Sequence, residues 1–178
     1  MFKMIKKILD RTLEFLVMVV VVVLVIDVLW QVFTRFVLKN PSTWTEEVAV
    51  FMLIWVSLLG AAVALGRGAH LGIDYFVGKL PVRIRIYTEV FVFLVVALFS
   101  FSVMIVGGTE LVIRTLQLEQ ISPAINVKVG YVYLAIPISG FFLVMYSIIG
   151  LVERIAELVR GEVIVDLPAS ANTEEGVD

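Results

Sequence analysis

The chain has 178 residues, of which 61% are hydrophobic and only 17% are charged. A soluble domain of this size is about half apolar and about a quarter charged, so the composition excludes a water-soluble globule and indicates an integral membrane protein. The net charge of −2 without a basic block does not suggest a nucleic-acid partner, and the absence of cysteine excludes disulfides and thiolate sites.

The first predicted element is a membrane-spanning helix over about residues 12–38. Basic residues precede its apolar run, as in a signal peptide, but no small-residue cleavage site follows, so we expect the helix to be retained. Asp27 and Gln31 share one face of this helix because they are four residues apart. Charged groups inside a membrane are costly and face a partner or water. This face is predicted either to pack against another helix, which we favour, or to relay protons or substrate.

A second spanning helix is predicted over about residues 47–65. Thr43 and Glu46 have the spacing of a capping box, and Glu46 and Glu47 suit the positive end of the helix dipole. Trp44 suits the aromatic belt of a membrane surface. We interpret this stretch as a capped helix start, with a docking point for another protein or a cation site as the alternative. Gly60 belongs to a series of small residues that predicts close packing with another helix.

The connection after the second helix mixes charged and apolar residues, so we expect it to lie at the cytoplasmic membrane interface. Arg67, His70 and Asp74 are its candidate functional residues. One histidine and one aspartate are too few ligands for a structural zinc ion. We therefore predict either a structural role on the cytoplasmic side or contact with lipid headgroups for these three residues.

The third and fourth spans are predicted over about residues 86–108 and 127–152. Glu110 and Arg114, four residues apart, predict an ion pair on a helix, and Pro137 predicts a kink in the fourth helix. Residues 1–160 are thus expected to form a single four-helix membrane domain, and the acidic tail, residues 161–178, is expected to be disordered.

The basic residues are distributed unequally between the two sides of this all-α fold. Ten of them lie in the N-terminal segment, the connection between helices 2 and 3, and the C-terminal segment, whereas four lie on the other side. The positive-inside rule then places both termini in the cytoplasm. The sequence contains no phosphate-binding loop, nucleophile elbow or metal-ligand cluster, so we expect neither an enzyme nor a cofactor.

Three stretches, in their order and spacing, resemble those of a known family. They are Trp44-Thr45-Glu46-Glu47 with Trp55 and Leu59-Gly60-Ala61-Ala62; Gly68-Ala69-His70-Leu71 with Asp74 and Leu80-Pro81; and Ser122-Pro123-Ala124 with Tyr133-Leu134-Ala135-Ile136-Pro137. They look like the second helix, the following loop and the last helix of the small membrane subunits of tripartite ATP-independent periplasmic (TRAP) transporters. Gly72 departs from this pattern, where a more polar residue is expected. The resemblance covers roughly residues 5 to 155.

This resemblance implies a division of labour in the bacterial inner membrane. A periplasmic binding protein would capture an organic acid such as a C4-dicarboxylate or sialic acid, and a large membrane subunit would carry the substrate and sodium sites. The present chain would be the small scaffold subunit. It would pack against the large subunit and lipids, and help to dock the binding protein.

Two other functions compete with this one. A self-sufficient, proton-coupled four-helix transporter would use Asp27 as its proton site, but exporters built from oppositely inserted copies need a weaker charge bias than this chain has. A membrane anchor of a respiratory complex would be expected to bind haem, for which a single loop histidine, His70, is poorly suited.

Overall fold

The computed structural model describes residues 2–40, 42–68 and 82–160, which form six α-helices and one π-helix. The helices are α1 (Phe2–Phe36), α2 (Thr43–Gly66), α3 (Val82–Phe99), π1 (Ser100–Gly107), α4 (Gly108–Gln117), α5 (Gly130–Tyr133) and α6 (Ala135–Arg160). Within the described ranges the only β-type pairing is an isolated bridge between Ile121 and Lys128. Residues 69–81 of the predicted interfacial segment and the predicted acidic tail lie outside the described residues.

In the part of the chain that the structure describes, four helical segments are long and apolar enough to cross a membrane, which confirms the predicted all-α, four-span fold. They are Lys6–Phe36, Thr43–Gly66, Ile86–Gln117 and Gly130–Ala156. The first segment starts earlier than predicted, since the helix continues through the charged residues that precede its apolar part. The third also runs further, to Gln117, because Gly107 and Gly108 keep helical φ angles of −63° and −64°.

The predicted kink in the last span appears as a break at Leu134, between α5 and α6. Proline has no backbone N–H, and its ring collides with the carbonyl four residues earlier, which here belongs to Tyr133. The ladder resumes when the Ile138 N–H donates to the Leu134 carbonyl at 3.2 Å. Pro137 therefore sets where the long helix α6 begins.

The most buried of the four spans is the last one, which packs against α2, α3 and π1, whereas α1 packs mainly on α2. A cluster of buried apolar side chains joins α1, α2, π1 and α6. Its members are Leu13, Leu59, Ala62, Leu65, Met104, Phe142, Leu143 and Tyr146. Most side chains of α1 outside this contact are exposed and apolar, so much of its surface faces lipid or another protein.

Glycines allow the close approach of α6 to its neighbours. A Cβ atom added at Gly140 would lie 2.7 Å from the Met104 Cβ of π1, and one added at Gly150 would lie 2.6 Å from the Phe93 ring of α3. A Cβ at Gly66 of α2 would lie 2.8 Å from the Tyr146 ring. Such close approaches strengthen helix association in lipid, where dispersion and hydrogen bonds hold helices together.

The substitution Gly140→Ala tests this packing. Because the added methyl group would meet Met104 close to its backbone, α6 and π1 must separate, and we expect overpacking to cost about 1–3 kcal/mol. Gly60→Ala is the matched control, since a Cβ there would meet nothing within 4 Å. Thermal unfolding in lipid nanodiscs should show a lower midpoint for Gly140→Ala alone, and equal midpoints would contradict the packing.

Candidate functional site

The candidate residues lie in three places. The first is the loop end of the bundle, where α2 starts and the loop 118–129 lies. The second is a groove on α1 and α2, and the third is the terminal end, which holds Lys6, Arg67 and Arg154.

The predicted capping box at the start of α2 is wrong. Ser42, with φ −85° and ψ 122°, is the N-cap, and Thr43 is already helical. The Ser42 hydroxyl lies 2.7 Å from Thr45 Oγ1, which itself donates to the Ser42 carbonyl at 2.9 Å. Thr43 and Glu46 therefore form no capping box.

Glu47 connects α2 to the loop 118–129. Its Oε2 accepts a hydrogen bond from the Ala124 N–H at 3.0 Å, 77 residues further along the chain. The loop folds around Ser122, which is 1% exposed, donates its N–H to Val127 and accepts a bond from the Asn126 N–H. The sequence marked Glu47 as a capping or docking residue, and the structure gives it a third role, as a tie between two segments.

Glu46 and Trp44 stay exposed beside this tie. The predicted pair of Glu110 and Arg114 is confirmed, with the Arg114 Nε donating to Glu110 Oε1 at 3.0 Å. These residues make the loop end a mixed aromatic and charged surface. Glu46 and Trp44 can contact another protein there without disturbing the hydrogen bond between Glu47 and Ala124.

A groove of about 580 Å³ lies on the outer face of α1 and α2, and we refer to it as the α1–α2 groove. Its lining residues are Val23, Ile26, Asp27, Trp30, Trp44 and Val48. Asp27 is only 7% exposed, and its Oδ2 atom is buried without a hydrogen-bond partner among the described residues. The groove thus combines an apolar wall with one carboxylate.

The polar face predicted on α1 is its sheltered side. Asp27 and Thr34 are buried and Gln31 is half-buried, whereas Val28 and Leu29 between them are exposed. The Thr34 hydroxyl donates to the Gln31 carbonyl at 3.0 Å. The side chain of Asp27 is therefore covered mostly by its own chain, and only its edge lines the α1–α2 groove.

Gly60 lies on α2, half-buried, with open space where a Cβ would point. None of this chain's described side chains fills that space. Gly60 therefore remains a candidate for contact with another subunit, and the close helix contacts within the chain use other glycines.

The terminal end is held by three polar links between helices. Arg67 pairs with Glu14 at 2.8 Å, Tyr146 donates to Asp10 at 2.7 Å, and Arg154 pairs with Glu89 at 2.6 Å.

The hydrogen bond to Glu14 and its negative charge raise the pKa of Arg67, so this guanidinium remains charged at physiological pH. The other two candidate residues of this connection, His70 and Asp74, lie outside the described residues. Sequence reasoning did not find the Tyr146–Asp10 link, since 136 residues separate its two members.

Comparison with known proteins identifies the family. The sequence model of the DctQ component of tripartite ATP-independent periplasmic transporters matches residues 23–157. The chain belongs to this family. It is a membrane subunit of the TRAP type, as the sequence motifs indicated.

Individual relatives agree with this assignment. The sialic acid TRAP transporter small permease protein SiaQ of Vibrio cholerae is 28% identical over 89% of this chain and 87% of its own length. The C4-dicarboxylate small permease protein DctQ of Rhodobacter capsulatus is 27% identical over 54% of the chain and 42% of its own length. The sialic acid permease protein SiaT of Haemophilus influenzae is 36% identical over 37% of the chain but only 11% of its own length. These relatives thus include small permease proteins and a much longer permease that contains a matching segment.

The hydrogen bond between Glu47 and Ala124 predicts that loss of the Glu47 carboxylate speeds amide exchange in the loop 118–129. Glu47→Ala removes the acceptor of the Ala124 N–H, and a hydrogen bond to a charged group contributes about 1.5–3 kcal/mol. Since Glu47 is half-exposed, we expect the lower part of this range, which corresponds to about tenfold faster amide exchange. Hydrogen–deuterium exchange of the peptide that covers residues 118–129 measures it. Glu46→Ala is the control, and equal exchange in both variants would contradict the tie.

Proposed function

We propose that the chain is the small scaffold subunit of a sodium-driven, binding-protein-dependent importer of organic acids in the bacterial inner membrane. The observation that carries the proposal is the family match over residues 23–157. The long permease among the relatives supports a large membrane partner, because one chain there contains a segment like this one within a far longer permease. The exposed apolar face of α1 supports a role in which this chain packs beside other helices.

The substrate class follows from the relatives' names. One is a sialic acid transporter and another a C4-dicarboxylate transporter, and both substrates are carboxylic acids. We propose the same class for the assembly to which this chain belongs. The core of the described bundle is filled by leucine, methionine, phenylalanine and tyrosine side chains, which supports placing the substrate and sodium sites in the large subunit.

We propose that the terminal end faces the cytoplasm and the loop end faces the periplasm. The excess of basic residues in the terminal segments supports this orientation. In this orientation the loop end presents Glu46 to the binding protein, and the hydrogen bond of Glu47 holds the loop 118–129 against α2. Trp44 borders this surface and lines the α1–α2 groove. At the other end, we propose that Arg67 contacts lipid headgroups, and the 67% exposure of its side chain, which also pairs with Glu14, supports this contact.

The self-sufficient transporter that uses Asp27 is less well supported. Membership in a family of transporter components favours a subunit, and Asp27 opens on an apolar groove at the side of the bundle. A proton relay through this chain alone would require further polar groups that lead from Asp27 to the other side of the membrane.

Expression of the large subunit with and without this chain tests the scaffold role. We expect the large subunit alone to be recovered from membranes in lower yield and with a lower unfolding midpoint, because its partner surface would be left in contact with lipid. Equal yield and midpoint without the small subunit would contradict the proposal.

Docking of the binding protein is tested by Glu46→Lys. We expect this substitution to reduce uptake that depends on the binding protein, because it reverses a charge on the docking surface, while the two membrane subunits still purify together. Glu153→Lys is the matched control, since Glu153 is an exposed glutamate at the terminal end. Equal effects of both substitutions, or loss of assembly with Glu46→Lys, would show that Glu46 has no specific docking role.

A further inference from the structure

We propose that the α1–α2 groove receives a transmembrane helix of the large subunit, and that a basic side chain of this helix pairs with the Asp27 carboxylate. The proposal rests on the proposed function, because it takes the large membrane subunit as the partner. It adds the position of the contact and the chemistry that the partner must present.

The carboxylate of Asp27 has the properties of one half of an ion pair. It is more than nine-tenths buried, and its Oδ2 atom lacks a hydrogen-bond partner among the described residues. It lies nine residues before the end of α1, which is about 13 Å along the helix axis. The Oδ2 atom is covered by the chain's own atoms, so a partner can reach this side chain only at its exposed edge, which lines the groove. A carboxylate inside a membrane is costly without a partner, and the groove is the place from which one can approach it.

Lipid and a second copy of this chain fit the groove less well than a different subunit does. Acyl chains carry no hydrogen-bond donor, so they cannot pair with the Asp27 carboxylate. A symmetric contact between two copies of the groove would bring two Asp27 carboxylates together, and like charges repel. A heterologous helix with a lysine or arginine supplies the opposite charge.

The rest of the groove suits a protein partner. Trp30 is 47% exposed and Trp44 is 45% exposed, and both line the groove. Large aromatic side chains of this kind contribute strongly to binding at protein interfaces. Val23, Ile26 and Val48 complete an apolar wall that fits the side of a transmembrane helix.

Asp27→Leu separates an interface role from a structural one. Because leucine is readily accommodated in hydrocarbon, the variant should insert into membranes at the wild-type level when it is co-expressed with the large subunit. The amount of large subunit recovered with it should fall about three- to tenfold, the effect of losing one strong polar contact between membrane helices. Asp27→Asn should give a smaller loss, and Glu153→Gln, which neutralises an exposed carboxylate, should give none. Full recovery with Asp27→Leu would overturn the proposal, as would a loss of the variant itself from the membrane.

Photo-cross-linking locates the contact independently. A photo-reactive amino acid at position 30 should cross-link to the large subunit, whereas one at position 91 should not, because the exposed Phe91 lies on α3, away from the groove. Cross-links from position 91 and none from position 30, in a complex that purifies intact, would show that the large subunit does not bind in the α1–α2 groove. The proposed function would still stand. If the wild-type chain recovers no large subunit at all, the proposed function itself fails.

Discussion

Close packing of α6 against its neighbours is the interaction on which this fold depends. In a bilayer the surrounding lipid is as apolar as the side chains, so helices associate through van der Waals contact and a few polar bonds. Gly140 lets α6 approach π1, Gly150 lets α3 approach α6, and Gly66 makes room on α2 for Tyr146. With Tyr146 in this position its hydroxyl reaches Asp10 of α1, so one set of small residues determines how all four spans meet.

The position of α6 also explains which surfaces remain free. Since α6 fills the space between α2 and α3, α1 is left at an edge of the bundle, where it packs mainly on α2. The exposed apolar side of α1 and the α1–α2 groove are the result. At the loop end, the Glu47 carboxylate holds the loop against α2 and leaves Trp44 and Glu46 exposed. The contacts that we propose with other proteins therefore involve two surfaces, the α1–α2 groove and the loop end.

Sequence reasoning found the features that depend on local patterns. Apolar runs revealed the four spans, four-residue spacing revealed the pair of Glu110 and Arg114, and Pro137 revealed the break before α6. It missed features that depend on how distant segments meet, such as the bond from Ala124 to Glu47. It also placed the helix cap one residue late, because Thr43 and Ser42 are both good capping residues and only the backbone conformation decides between them.

Helix lengths were underestimated for a related reason. Hydropathy detects the part of a helix that lies in hydrocarbon, whereas backbone hydrogen bonding continues beyond it, as in the first turns of α1 and in α4. The π-helix Ser100–Gly107 had no signal in the sequence. Its Met104 faces Gly140 of α6. The π-helix is therefore part of the close contact with α6, and it became evident only from the structure.

The central claim is that this chain supports a transporter whose transport pathway lies in another subunit. Uptake of labelled sialic acid or C4-dicarboxylate into proteoliposomes under a sodium gradient tests it most directly. The account predicts uptake when the chain, the large subunit and the binding protein are present together, and none above the protein-free background with the chain alone. Sodium-dependent uptake by the chain alone would contradict it.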